Sequence, residues 1–228
     1  MMNCTEVAHW WNRVRYRAYA PVYDWLAWPM ERGRERAVRA LAPEAGARIL
    51  LVGGGTGADL QYLPPEVRIT VLDAVPAMVH RAKARADALG LNVEARVGDA
   101  RALPFDENTF DLALLHLFLS VVSDPVAVLH ETARVLRRGG RVSIYDKFVP
   151  PGTTASLFRR ALNPLARILV SDFMRRLEPM LTETGFEKEA HRQVGRWGLY
   201  TATVARPAER QPPQARPDRA GTLQDEED

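Results

Sequence analysis

Apolar positions along this chain fall into two rhythms. Short continuous runs read as buried strands, and stretches whose apolar positions recur every three or four residues read as helices. Ile49-Leu50-Leu51-Val52 is such a run, and four glycines in five positions follow it. Ala58–Leu63 then has the composition to begin a helix. The second strand is Val67–Leu72, ending in Asp73, and the third spans about Asn92–Val97, followed by Gly98-Asp99-Ala100. Phe110–His116 is a fourth strand, and Val142–Tyr145 a fifth that reaches Asp146. Between them, Pro76 suits the first turn of a helix running to Ala88, with Met78, Val79, Ala82 and Ala86 on its apolar stripe. Asp124-Pro125 opens a helix through Leu136, with Asp124 as its cap and Arg137-Arg138-Gly139-Gly140 as its end. Strands alternating with helices predict an α/β fold: a Rossmann-like, seven-stranded, mostly parallel sheet with helices on both faces. Ligands then bind beyond the carboxyl ends of the strands. Gly53–Gly57, Asp73, Asp99, His116 and Asp146 all fall at those ends.

The flanks read differently. Residues 9–41 are mostly helical, with breaks at Pro21 and Pro29, and carry Trp10, Trp11, Tyr16, Tyr19, Tyr23, Trp25 and Trp28. Tyr16, Tyr19 and Tyr23 share one helix face. That stripe fits core packing, a lid over a site, or a basic aromatic surface against anionic lipid, because seven arginines in residues 10–41 face three acids. After Asp146 comes an irregular stretch, 147–170, containing the basic, partly apolar Leu157–Leu162. A helix at about 172–183 and extended segments near 187–194 and 198–205 follow. Residues 207–228 are poor in apolar positions and read as disordered. The expected organisation is an N-terminal helical lid, 1–41, a ligand-binding domain, 42–206, and a disordered tail, 207–228.

Composition narrows the classes. A net charge of +3 over 228 residues does not argue for nucleic acid. Cys4 is the single cysteine, and the five histidines have no ligand spacing, so no metal site is expected. The start lacks a signal-peptide pattern, and no apolar run approaches a membrane span of roughly 20 residues. The expected location is the cytoplasm, with peripheral membrane contact through the N-terminal helices.

The glycine run and Asp73 set the candidate chemistry. Glycines let the chain turn tightly and let a ligand approach without meeting a Cβ. Asp73 lies 20 residues after Gly53, the spacing at which an acid ending the second strand reaches ribose hydroxyls. Two donors fit. Gly53-x-Gly55-x-x-Ala58 satisfies a variant dinucleotide fingerprint, which suits a nicotinamide. The alternative is S-adenosylmethionine (SAM), which needs glycines along its methionine part, an acid for its ribose and an edge-on partner for adenine.

Five motifs in order resemble the class I SAM-dependent methyltransferases of the type 11 domain family. They are Gly53-Gly54-Gly55-Thr56-Gly57; Asp73-Ala74 with Pro76 and Met78; Gly98-Asp99-Ala100 with Leu103-Pro104-Phe105; Phe110-Asp111; and Arg134–Gly140. The resemblance implies that Gly53, Gly55, Thr56 and Gly57 line the methionine part and that Asp73 accepts the ribose hydroxyls. It implies that Asp99 and Ala100 take the adenine amine edge, that Ala74 and Met78 pack the ring, and that His116 borders the sulfonium. Many members of the family that it resembles carry an acid two residues before the first glycine, where this chain has Leu51. The ligand's ammonium is then left to backbone carbonyls such as those of Gly53 and His116.

Methyl transfer from a sulfonium is a direct displacement, in which orientation supplies much of the rate. A base is needed only where the acceptor must lose a proton. The candidates are His116, Asp146 and the lid tyrosines, Tyr23 among them. Tyr19–Asp24 followed by Arg32-Gly33-Arg34 is similar to the opening of two subgroups. One is the bacterial phospholipid N-methyltransferases acting on phosphatidylethanolamine, and the other the ubiquinone/menaquinone-biosynthesis C-methyltransferases. The implied partner is a small-molecule or lipid acceptor. A soluble metabolite acceptor, or a SAM-binding partner subunit without turnover, stands as the alternative.

Overall fold

The computed structural model describes residues 30–149, 174–194 and 200–208. Their seven strands form one sheet: β1 (Arg48–Val52), β2 (Arg68–Asp73), β3 (Val93–Val97), β4 (Phe110–His116), β5 (Leu136–Asp146), β6 (Phe186–Val194) and β7 (Tyr200–Pro207). The spatial order is β3-β2-β1-β4-β5-β7-β6. Strands β1 to β5 pair in parallel, and β7 runs against both β5 and β6. The order reverses between β1 and β4, so their carboxyl ends open the crevice in which such sheets bind ligands.

Period-two alternation sorts the strand residues into two cores. Leu50, Val52, Leu115 and Ile144 face one side, against Val128 and Leu129 of α3 (Pro125–Val135) and Leu177 and Met180 of α4 (Leu177–Glu183). Ile49, Leu51, Val71 and Leu114 face the other side. Val38 and Leu41 of α1 (Glu31–Leu41) and Ala82 and Ala86 of α2 (Pro76–Ala88) cover them. The part of the expected lid within α1 therefore packs on the sheet, against β5 and β7. Residues 1–29, Tyr16, Tyr19 and Tyr23 included, and the tail from 209 lie outside the described residues.

Two local expectations change. Ala58–Leu63 does not begin an α-helix; it gives one 3-10 turn, Leu60–Tyr62. Six residues separate Gly57 from Pro64-Pro65, too few for a helix to establish itself before the prolines end it. Helix α3 stops at Val135, and Leu136 already pairs with Phe110. Arg137–Gly140 then bulge from β5 before Arg141 pairs with Leu112, with Gly139 in the left-handed region at φ 74°. Asp124 caps α3 as expected, accepting a hydrogen bond from the Ala127 N–H at 2.9 Å.

Candidate functional site

Strand β1 runs out at Val52, and the chain enters the glycine turn. Gly53 and Gly55 both take left-handed φ values, 63° and 56°, which only glycine adopts at no steric cost. They do different jobs. A Cβ on Gly53 would lie 2.2 Å from the Phe118 ring, so Gly53 is small because an aromatic side chain sits on it. A Cβ on Gly55 would meet nothing within 4 Å: this glycine faces open space. Gly57 packs on Leu60 and Ala82, and the side chain of Thr56 is buried beside Arg85. The open position in the turn is thus Gly55, where a ligand can approach the backbone.

Asp73, the last residue of β2, fastens that turn. Its Oδ2 accepts the Gly55 N–H and its Oδ1 the Val75 N–H, each at 2.9 Å. Burial raises its pKa above the ordinary carboxylate value, against the opposing effect of the backbone N–H groups of Val75, Gly55 and Ala74. A carboxylate offers about four acceptor positions, so these backbone bonds still leave capacity for a hydroxyl donor. The carbonyl of Asp73 takes the Gly98 N–H at 3.0 Å, which brings the β3 exit alongside. There Asp99 stands half-buried, gripped by Arg101, whose Nη2 lies 2.7 Å from Oδ2. Ala100 and Met78 are buried, Met78 together with Val75. The expected adenosine residues are therefore brought to neighbouring strand ends.

The Leu103-Pro104-Phe105 loop is held from α3. Arg134 donates to the carbonyls of Leu103 and Phe105 at 2.9 and 2.8 Å, and Glu131 accepts the Leu103 N–H at 2.7 Å. The hydrogen bond from Arg134 keeps the Glu131 pKa below its ordinary value.

His116 and Asp146 are placed otherwise than expected. His116 shares the β4 face of Leu112 and Leu114, and α1 covers that face; its side chain is 1% exposed. Its Nδ1 lies 2.7 Å from Asp59 Oδ1 and its Nε2 2.9 Å from Ser143 Oγ. Both ring nitrogens are engaged, so His116 offers no open nitrogen to an acceptor. The Ser143–His116–Asp59 linkage has the connectivity of a charge-relay triad. Ser143 is fully buried under α1, however, 3.2 Å from the Ala37 carbonyl, where no substrate can reach it. Asp146 is fully buried as well, its two oxygens accepting the N–H groups of Ser120 and Lys147 at 2.8 Å each.

Sequence reasoning gave no site role to Arg34, Asp59 or Phe118. Arg34 Nη1 meets Asp59 Oδ2 at 2.6 Å, and both side chains are buried. Burial would raise the Asp59 pKa, but the charge of Arg34 and the neighbouring His116 outweigh it and hold the carboxyl well below the usual range. A signal was available: Arg34 lies four and seven residues before Val38 and Leu41, on the apolar stripe of its helix. Phe118 carried no motif. It stands next to Leu117, a non-glycine residue with φ 55°.

Residues 50–144 match the family model described as methyltransferase domain. The chain is 31% identical to a phosphatidylethanolamine N-methyltransferase of Cereibacter sphaeroides over 190 residues, 82% of this chain and 92% of that protein. It is 34% identical over 143 residues to the ubiquinone/menaquinone biosynthesis C-methyltransferase UbiE of Dinoroseobacter shibae, 58% of this chain and 57% of that one. Among solved structures, a SAM-dependent methyltransferase from Aquifex aeolicus superposes with a TM-score of 0.58 at 20% identity, covering 75% of this chain and 88% of the other.

Proposed function

The chain belongs to the SAM-dependent methyltransferases, and we propose that its acceptor is the primary amine of a phosphatidylethanolamine-type lipid headgroup. The observation that carries the choice of an amine is the closed bonding of His116 and Asp146. A neutral amine attacks with its own lone pair and sheds its extra proton to water afterwards, so it needs no positioned base. An aromatic carbon becomes nucleophilic only once a ring hydroxyl has lost its proton. The described strand ends hold no titratable side chain free for that task in the positions of His116 and Asp146. The near-full-length similarity to a phosphatidylethanolamine N-methyltransferase supports the same reading.

The site fits the donor. Gly55 leaves an open cradle, and Asp73 retains acceptor capacity beside it. When bound, SAM supplies a sulfonium methyl that an amine lone pair displaces directly. In this reading the chain's own residues position. Asp73 holds the ribose, Asp99 lies at the adenine edge, and the open backbone at Gly55 receives the methionine part. Leu51 stays in the core and leaves the ammonium to backbone carbonyls. The protein works from the cytoplasmic side as a peripheral enzyme, its basic aromatic N-terminal stretch against anionic lipid. No helix of the described residues is long and apolar enough to cross a membrane.

The test is incubation of the full chain with methyl-tritiated SAM and vesicles of phosphatidylethanolamine and phosphatidylglycerol, followed by phase extraction and chromatography. Label in mono-, di- or trimethylated headgroups is the expected result. Label from a cell extract that enters only the aqueous phase or a quinone fraction would overturn the proposal.

A further inference from the structure

The turn that follows β4 is built with more constraint than a connection requires. Leu117 takes φ 55°, a left-handed conformation that is strained for a residue carrying a Cβ. Such strain persists only where the surroundings over-determine it, and here they do. The Leu117 N–H donates to the Tyr145 carbonyl at 2.6 Å, and the Ser120 N–H to Asp146 at 2.8 Å. Arg175 donates to the carbonyls of Leu119 and Val122, the latter at 2.7 Å. The N–H groups of Val121 and Val122 return to the Phe118 carbonyl. Leu117 and Leu119, on either side, are buried, whereas Phe118 keeps partial exposure. Its ring lies directly on Gly53, across the point where the strand order reverses.

The strained residue therefore precedes an aromatic ring that is aimed at the first glycine of the donor turn, in the crevice where these sheets bind ligands. We infer that Phe118 is a donor-site residue that reads the positive charge of the sulfonium. A ring face attracts a cation through its quadrupole, and the attraction grows as the site loses water. The residue would then discriminate SAM, which carries the sulfonium charge, from S-adenosylhomocysteine, the demethylated product, which does not. A ring with that preference holds the donor and releases the spent product. The inference rests on donor binding alone and is independent of which acceptor the enzyme uses.

Calorimetric titration of the full chain with SAM, S-adenosylhomocysteine and sinefungin tests it, with no turnover required. Phe118→Leu should weaken SAM about tenfold, within the range that a cation–ring contact supplies, and leave S-adenosylhomocysteine within about twofold. Phe118→Tyr should keep the wild-type ratio. Should the leucine variant fold poorly, ring-fluorinated phenylalanine at position 118 withdraws the quadrupole while keeping the shape. The SAM preference should then fall stepwise with each added fluorine. Equal weakening of SAM and S-adenosylhomocysteine in Phe118→Leu, or a preference unmoved by fluorination, would overturn the assignment and leave Phe118 as packing for the turn.

Discussion

Arg34→Met is the most exposing perturbation of this fold. The substitution keeps the length and apolar stem of the side chain but withdraws the guanidinium that lies 2.6 Å from Asp59, where both side chains are 4% exposed. Asp59 is left buried with His116 as its remaining side-chain partner at 2.7 Å. Breaking a buried pair by removing one member costs roughly 3–5 kcal/mol, because the other charge stays behind uncompensated. The retained imidazole places the expectation at the lower end, about 3 kcal/mol. For a chain of this size each kcal/mol shifts Tm by roughly 2–4 °C, so the melting point should fall by about 6–12 °C. The pH dependence gives a second reading. The folded-state pKa of Asp59 lies below its ordinary value of 3.8. Its pairing therefore stabilises fully above that value and is lost as pH falls below it. Without Arg34 the carboxyl titrates higher, and acid unfolding should begin at a higher pH. Scanning calorimetry across pH 3–8, with Arg34→Met/Asp59→Asn to complete a double-mutant cycle, measures both. A melting point within about 1 °C of wild type, with an unchanged acid limb, would refute the claim that this pair latches α1 to the turn.

Asp73→Asn should weaken SAM by roughly 10–100-fold, the worth of hydrogen bonds to a charged acceptor. Because burial raises the Asp73 pKa, wild-type SAM affinity should decline on acidification at a higher pH than an ordinary carboxylate would give, and the asparagine variant should lack that limb in titration calorimetry. Leu51→Asp, which places an acid two residues before Gly53, should destabilise by about 3 kcal/mol or more in denaturant melts, since Leu51 is 1% exposed among Ile49, Val71 and Leu114. In steady-state assays with phosphatidylethanolamine vesicles, the rate below the amine pKa should rise about tenfold per pH unit as the neutral amine fraction grows. A plateau set near the ordinary histidine pKa would speak for an enzyme base instead.

Legibility followed sequence separation. The strands, α2, α3 and the adenosine-side residues were readable because each depends on contacts within one βαβ unit: Asp73 closes on Gly55 18 residues away and on Val75 two away. The node of Arg34, Asp59, His116 and Ser143 was not, because its links span 25, 57 and 27 residues. Only the face of β4 that α1 covers tells His116 to be a structural histidine. The glycine turn misled on one point. Its composition suits a helix start, but the prolines at 64 and 65 decide the length, and a single 3-10 turn results. Phe118 could not be read from its own position, since what marks it is the backbone of Leu117 and the absence of a side chain on Gly53.

Depth assigns the acids along this edge. Asp73, partly buried, keeps acceptor capacity for a ligand; Asp59 and Asp146, at the same end of the sheet, are buried and spend their oxygens on Arg34, His116, Ser120 and Lys147. The two buried carboxylates hold the two turns that flank the crevice, one after β1 and one after β4. Those turns meet where the Phe118 ring covers Gly53. With His116 and Asp146 committed to bonding, the proposed amine transfer draws its rate on holding donor and acceptor in line. Alignment of that kind is worth several kcal/mol only when the reacting atoms are fixed to within a fraction of an ångström. A buried ion pair behind one turn and a strained residue tied through its N–H within the other suit such rigidity, and they account for the placement of charge where a simple core would have used leucine.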